Sequence, residues 1–261
     1  MSRPTTALVT GASRGIGRCI VQQLSARGVR VAVHYHQNKE KAEEVLSSLS
    51  GEGHILVQAD LGDATACNTL WQEVISAFVS VDILINNAGY YANHPALTTD
   101  YATWQDEWNR TMATNLYGPA NLTYLASNSM TAASNGVASD PSFGKGRIVN
   151  VSSRGAFRGE PTACAYGASK AGLNSLSQSM ALAMAAHGVY IYCVAPGWVE
   201  TDMSKDALAG PNGALVNAQH PLGRVASAAE VAKTCVFCAL DAPAAMTGCV
   251  IDINGASYLR T

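Results

Sequence analysis

Charge is scarce in this chain, and what charge there is does not cluster. Only 14% of the 261 residues are Asp, Glu, Lys or Arg, and the net charge is −2. No basic run supplies the phosphate contacts that nucleic acid or an anionic membrane surface requires. No apolar run reaches the roughly 20 residues that span a bilayer. The first strand-like run begins within a few residues of Met1-Ser-Arg-Pro4, leaving no room for a secretory leader. A cytoplasmic protein is expected, and a removed organelle transit peptide is compatible with the same sequence. Six histidines show no helical ligand pair, and seven cysteines, at 19, 67, 164, 193, 235, 238 and 249, form no disulfide framework. Cys235-Val-Phe-Cys238 has the spacing of a redox or zinc pair. No second pair accompanies it and it falls in a helical pattern, so both thiols read as core residues and no metal is expected.

What is present is hydrophobic residue in short, regularly spaced runs. With 48% apolar residues, no repeat and no linker, residues 1–261 read as one large domain. Strand-like runs at 6–10, 29–35, 54–59, 82–86, 146–152, 189–195 and 249–253 alternate with helical stretches. That alternation predicts an α/β fold: a Rossmann-like, doubly wound parallel sheet of about seven strands with helices on both faces. Ligands of such sheets bind beyond the carboxyl ends of the strands, so the loops after Thr10, Tyr35, Asp60, Asn86, Ser153 and Pro196 should converge. The small-residue stretch from Thr131 to Lys145 joins a helix to the next strand. It therefore belongs to the opposite edge, as an exposed loop.

Two local patterns on the ligand edge carry chemistry. Ala7-Leu8-Val9 runs into Thr10-Gly11-Ala12-Ser13-Arg14-Gly15-Ile16-Gly17 and then into a helical pattern through Ile20, Val21 and Leu24. A strand, a glycine turn and a helix N-terminus let a diphosphate approach the backbone, where a side chain would block it. Further on, Tyr166 and Lys170 are four apart, on one helix face about a turn from each other. An ammonium beside a phenol favours the phenolate and lowers its pKa, which would let Tyr166 act as acid or base. Ser153 ends the strand-like run Val149-Asn150-Val151-Ser152-Ser153, where its hydroxyl can polarise a carbonyl.

Thr10 to Gly17, Asn86-Asn87-Ala88-Gly89, Asn115, Ser153, Tyr166, Lys170 and Pro196-Gly197 occur in the order and at about the distances of the classical short-chain dehydrogenases/reductases. The resemblance spans almost the whole chain. It is nearest the 3-oxoacyl-carrier-protein reductase-like branch, through the Thr10–Gly17 turn, Glu200-Thr201-Asp202-Met203 and Asp252-Ile-Asn-Gly255. It implies that Tyr166 transfers the proton, Ser153 orients the carbonyl, and Lys170 binds ribose hydroxyls and depresses the tyrosine pKa. Asn115, in a kinked helix, completes a relay to solvent. It also implies a cofactor site formed by Gly11, Ser13, Arg14, Gly15, Ile16, Gly17, Tyr35, His36, Asp60, Leu61, Asn87, Ala88, Gly89, Tyr166, Lys170, Pro196, Gly197, Val199 and Thr201. Within it, Asp60 contacts adenine, while Val199 and Thr201 hold the carboxamide.

NAD-preferring members of that family carry an acid at the end of the second strand; Tyr35 stands there, and Arg14 and His36 can accept a 2′-phosphate. NADP(H) is the expected cofactor. The expected activity is an NADP(H)-dependent oxidoreductase interconverting a small-molecule carbonyl and a secondary alcohol. A 3-oxoacyl-carrier-protein or 3-oxoacyl-CoA reductase is the alternative, and a catalytically silent NADP-binding regulator or scaffold is the alternative of another class. Met180 to His187 lacks the basic residues that carrier-protein reductases present, which favours a more general substrate. Tyr90, Tyr91, His94, Phe157, Trp198 and residues 204–220 should border it; Arg154 and Arg158 could meet an anionic substrate, but solvated surface arginines are the commoner outcome. The small, apolar helix from Ala168 to Ala186 suits pairing between subunits, and the resemblance implies a homotetramer, or a homodimer.

Overall fold

In the computed structural model, residues 5–132, 143–202, 204–211 and 213–260 are described. The strands are β1 (Thr6–Val9), β2 (Arg30–Tyr35), β3 (Ile55–Gln58), β4 (Ile83–Asn86), β5 (Gly146–Val151), β6 (Val189–Pro196), β7 (Val199–Glu200), β8 (Ala226–Ser227) and β9 (Val250–Ile253). Seven of them form one sheet in the order β3-β2-β1-β4-β5-β6-β9, and every pairing is parallel. The short β7 and β8 pair separately. Apolar periodicity gives no sign of them, because two residues carry no period.

Alternation along the strands divides the core into two layers. Ala7 and Val9, Val31 and Val33, Ile83 and Ile85, and Val149 and Val151 face one layer. Leu8, Ala32 and Leu84, between them in sequence, and Ile148, just before Val149, face the other. The first layer is closed by α1 (Gly15–Ala26), α2 (Lys39–Ser47) and α10 (Ala228–Leu240), through residues such as Ile20, Leu24, Val45 and Val231. The second is closed by α3 (Ala64–Phe78), α5 (Gly118–Ala132) and α7 (Cys164–Met184), through Leu70, Trp71, Leu122, Ala126 and Ala181. Cys235 and Cys238 lie in the first layer, as core thiols. The remaining helices, α4 (Tyr101–Met112), α6 (Gly155–Arg158), α8 (Lys205–Ala209) and α9 (Gly213–Ala218), belong to the rim of the ligand edge or lead into it.

Helix starts separate structural elements from those at the site. Asn38, Asp63 and Asp100 cap α2, α3 and α4 with side-chain acceptors, and Ser227 with Glu230 forms a capping box on α10. The N-cap positions of α1 and α7 are Arg14 and Ala163, neither of which makes a side-chain cap. Those two helices carry the glycine turn and Tyr166.

Residues 133–142 of the long loop expected between Thr131 and Lys145 lie outside the described residues, as do Met203 and Asn212. At the base of that loop Lys145 Nζ donates to the Thr131 carbonyl at 3.1 Å. Among the described residues no helix is long and apolar enough to cross a membrane.

Candidate active site

The carboxyl ends of the strands open into one cleft of about 2230 Å³. This exceeds the roughly 300–1,000 Å³ of a single small-ligand pocket and leaves space for a dinucleotide and a second molecule. Of the residues nominated from sequence for catalysis or cofactor binding, all line it except Gly17 and Asn115, which act from behind the wall.

The glycine turn is built by close packing. Gly11 has φ +62°, and a Cβ there would lie 2.8 Å from Ala88 Cα. A Cβ on Gly17 would lie 2.6 Å from Asn87 Nδ2. Asn87 braces the turn: its side-chain amide donates to the carbonyls of Thr10 and Gly11 at 2.9 and 3.1 Å. The Thr10 hydroxyl accepts the Asn87 and Ala88 N–H groups. The Gly11 N–H donates to His34 Nδ1 at 3.0 Å, so Nε2 carries the proton facing the Ala59 carbonyl at 3.2 Å. Burial pushes the His34 pKa down to about 4, which keeps this brace neutral. No acid occupies the first turn of α1. Its positive end is thus left for an anion.

Beyond β2 the cleft is walled by Tyr35, His36, Gln37, Asn38, Lys39 and Glu40. Arg14 is exposed on the turn opposite. His36 Nε2 is 3.7 Å from Asp60, whose other oxygen accepts the Gly62 N–H. Gln37, Asn38 and Lys39 carry no motif, and only their place after β2 could have nominated them. Lys41 and Asp202 form an exposed ion pair at 3.5 Å, joining α2 to the segment after β7. Their 161-residue separation leaves no sequence signal.

At the centre, Tyr166 and Lys170 project from α7 as the spacing predicts. Lys170 Nζ donates to the Val151 carbonyl at 2.8 Å and lies 5.8 Å from the Tyr166 ring centroid. The expectation that the lysine lowers the tyrosine pKa is reversed here. Burial pushes Tyr166 up to about 12, against a hydrogen bond from Ser153 that lowers it, and burial pushes Lys170 down to about 8. The ammonium is turned to a carbonyl instead of the phenol, so desolvation dominates. Ser153 Oγ accepts the Gly155 N–H at 3.0 Å, leaving its own proton available to another acceptor.

Asn115 is fully buried in the π-helical segment Ala113–Tyr117 between α4 and α5. Its Oδ1 accepts the Tyr90 N–H at 2.7 Å, and its Nδ2 donates to the Tyr90 carbonyl at 2.9 Å and to Ser169 Oγ at 3.2 Å. It thus pins the loop after β4 against α7. Such one-turn π distortions concentrate at functional sites.

At the far end of the cleft, Tyr91 meets the Tyr166 ring edge-on at 5.1 Å, and Trp198, Tyr90, Ser204, Asp206 and Val216 also line the wall. Two residues expected there are elsewhere. Phe157 packs under the Arg260 guanidinium at 4.3 Å. His94 is fully buried behind the wall, against Trp104 and the start of α7. Arg154, expected as a solvated surface arginine, is 4% exposed because its guanidinium is drawn inward to Ser257 Oγ at 2.7 Å. Arg158 is exposed, as expected.

Comparison with known proteins agrees with this geometry. A family model described as short chain dehydrogenase matches residues 5–212. The chain belongs to the short-chain dehydrogenase family. It is 36% identical to the 3-oxoacyl-[acyl-carrier-protein] reductase FabG of Staphylococcus aureus strain Mu50 over 261 residues, covering 99% of this chain and 100% of that protein. Against the FabG of Escherichia coli K12 it is 34% identical over 254 residues, 97% of each. Among solved structures, one described as an NAD(P)-dependent gluconate 5-dehydrogenase of Beutenbergia cavernae, with NADP bound at low occupancy, superposes with a TM-score of 0.83. The two are 31% identical, over 97% of this chain and 96% of that one. Membership makes the chain an oxidoreductase of Rossmann-like fold.

Proposed function

We propose that this oxidoreductase uses NADP(H) to interconvert a small-molecule carbonyl and a secondary alcohol, with Tyr166 passing the proton. The observation that carries the reading is that Tyr166, Ser153 and Lys170 line the same cleft as the glycine turn. The fit to a dinucleotide rests on the cradle that Cβ atoms at Gly11 and Gly17 would fill, on an α1 N-terminus without an acid, and on Arg14 and His36 beside Tyr35. When bound, the cofactor supplies or accepts the hydride. Gly11, Ser13, Gly15 and Ile16 would border the diphosphate, Asp60 and Leu61 the adenine, and Pro196, Gly197, Val199 and Thr201 the nicotinamide.

The protein's part is proton handling and orientation. A pKa pushed up to about 12 keeps Tyr166 a neutral phenol at physiological pH, the form that donates a proton to a carbonyl oxygen as the carbon gains hydride. Ser153, its acceptor lone pair engaged by Gly155, has its O–H to give to the same oxygen. Lys170 spends one of its donors on Val151 and keeps the others for ribose hydroxyls.

The FabG relatives support carrier-bound 3-oxoacyl groups as the second reading. The exposed positions of α7 and the turn after it, which include Ser175, Gln178, Ser179, Leu182, Ala183, Ala186 and His187, carry no Lys or Arg, and this favours a free small molecule. Leu182 at 86% exposure, with exposed Tyr117 and Tyr124, supports a homotetramer or homodimer built on α5 and α7. Seven free thiols suit a reducing compartment such as the cytoplasm.

The test follows NADPH oxidation against ketones, aldehydes, quinones and a short 3-oxoacyl thioester, with Tyr166→Phe alongside. Turnover lost in Tyr166→Phe, with NADPH binding intact, is the expected result. Turnover retained in that variant would remove Tyr166 from the chemistry. Cofactor binding without turnover of any compound would favour a silent regulator.

A further inference from the structure

At the substrate end, one buried cation has no part in the chemistry above. Arg154 follows Ser153 directly, lines the cleft and is 4% exposed. Its side chain makes one hydrogen bond, from Nη1 to the neutral Ser257 hydroxyl at 2.7 Å, and among the described residues it makes no ion pair. A guanidinium carries five N–H donors, and withdrawing it from water without an acid is costly. Nε and Nη2 have no protein acceptor, yet they are not among the sealed unpartnered atoms. These two donors therefore keep some exposure, on a residue that lines the cleft.

Arg158 lies four residues on, at the end of α6. It also lines the cleft, and its Nη1 reaches Gln219 Oε1 at 3.2 Å. Glu160 is the acid of this corner, and it pairs with neither arginine within ion-pair distance. Burial holds its pKa up although both arginines pull it down, and Arg154 in turn is lowered by burial and by Arg158. Asp206 lines the cleft from α8 but is not among the charges acting on Arg154. Two guanidiniums, Arg154 buried and Arg158 exposed, against one carboxylate leave a single positive charge next to Ser153.

We propose that Arg154, with Arg158 beside it, recognises a carboxylate on the substrate, so that the physiological substrate is an oxo or hydroxy acid whose acid group lies apart from the reacting carbon. This rests on the carbonyl–alcohol reading above. A carboxylate fits because a planar guanidinium binds it through two parallel hydrogen bonds, and because one net positive charge matches a monoanion better than a phosphate dianion. Tyr91 and Trp198 supply the apolar wall along which the connecting carbons lie. Arg14 and His36, at the other end of the cleft, are committed to the cofactor.

The experiment uses the intact protein, NADPH and the series 3-oxobutanoate, 4-oxopentanoate, 5-oxohexanoate and 6-oxoheptanoate, each beside its methyl ester. At one chain length or more, kcat/KM for the acid should exceed that of its ester at least tenfold. Arg158→Gln, at an exposed position, should shrink that preference severalfold through KM, with NADPH affinity unchanged. Arg154→Gln should abolish the preference if it folds. Esters turned over as well as acids throughout the series would overturn the proposal while leaving the oxidoreductase reading intact. If nothing is turned over, calorimetric titration of the same compounds into NADP⁺-saturated protein still decides the matter. Acid binding that is weakened in Arg158→Gln supports the anion site and counts against the reductase reading alone. Binding of neither acid nor ester, or of both equally, sinks the anion site.

Discussion

His94 Nε2 accepts the N–H of Ala165, the residue before Tyr166, at 3.1 Å. The other ring nitrogen faces the Ala92 carbonyl at 3.0 Å and therefore carries the proton, and the His94 N–H donates to Thr162 at 2.7 Å. A residue from the loop after β4 thus supplies the cap that Ala163 cannot give to α7. Neighbouring Tyr91, Ala92, Asn93 and Pro95 line the cleft, so one ring fixes the catalytic helix against the substrate wall. Replacing His94 by Phe keeps the aromatic packing on Trp104 and leaves a buried N–H without an acceptor, at a cost of about 1–3 kcal/mol. The expected outcome is a melting temperature lowered by several degrees and a larger loss in kcat than in NADPH affinity. His94→Gln, with an acceptor oxygen, should recover part of both. A lowered melting temperature with kcat untouched would make the contact structural only.

Gly17→Ala sets two effects against each other. Alanine is the better helix former by about 1 kcal/mol. At this position its Cβ would sit 2.6 Å from Asn87 Nδ2 and would also meet Gly11 O, both of which belong to the brace of the turn. Sterics should win, because Gly11 O and Ala12 Cα, which the Cβ would also meet, are backbone atoms of the turn itself. We expect NADPH affinity, read by protein fluorescence, to fall at least about tenfold as the turn is displaced. Unchanged affinity would mean that the brace yields without moving the cradle.

The legible part of this molecule was what repeats or what clusters in sequence. The seven main strands follow from short, regularly spaced apolar runs, and the glycine turn and the Tyr166–Lys170 face follow from local spacing. What could not be read depends on residues distant in sequence that meet only in the fold. His94 was placed at the substrate border by its nearness to Tyr91, yet it is turned inward because α7 lacks its own cap. Arg154 was taken for surface because most arginines are, and Ser257, 103 residues on, draws it in. The Tyr166 pKa went the other way because adjacency to Lys170 says nothing about desolvation or about the Val151 carbonyl that holds the ammonium.

Arg14 decides the cofactor prediction. It is exposed on the turn facing the segment from Tyr35 to Lys39, and no acid ends β2. A guanidinium there gains a charge-assisted contact from a 2′-phosphate and little from a ribose hydroxyl. Arg14→Ala should weaken NADPH binding roughly tenfold or more, since such contacts contribute about 1.5–3 kcal/mol, and leave NADH binding nearly unchanged. Equal losses for the two cofactors would transfer the selectivity to His36 or Lys39.

Lys170 gives a pH dependence whose sign is fixed by its environment. Its pKa falls to about 8 in the fold, from about 10.4 in an unfolded chain. The unfolded chain therefore binds more protons between these values, and stability rises with pH across that window. The contribution is fully present above the unfolded pKa and is lost as pH falls through about 8. Buried thiols act in the opposite sense: Cys193 and Cys238, pushed up to about 12, Cys67, pushed up to about 11, and Cys235, raised well above its ordinary value, retain protons that the unfolded chain releases, so they cost stability as pH rises through about 8.5. The part due to Lys170 amounts to on the order of 1 kcal/mol between pH 8 and 9, a window in which the thiols also titrate. Urea unfolding at pH 7, 8 and 9 should show it as a stability difference between the wild type and Lys170→Met that grows in favour of the wild type with pH, because the thiol contribution is nearly common to both proteins. Parallel pH curves for the two would mean that Lys170 is solvated in solution, and would withdraw the electrostatic basis for its place beside Tyr166.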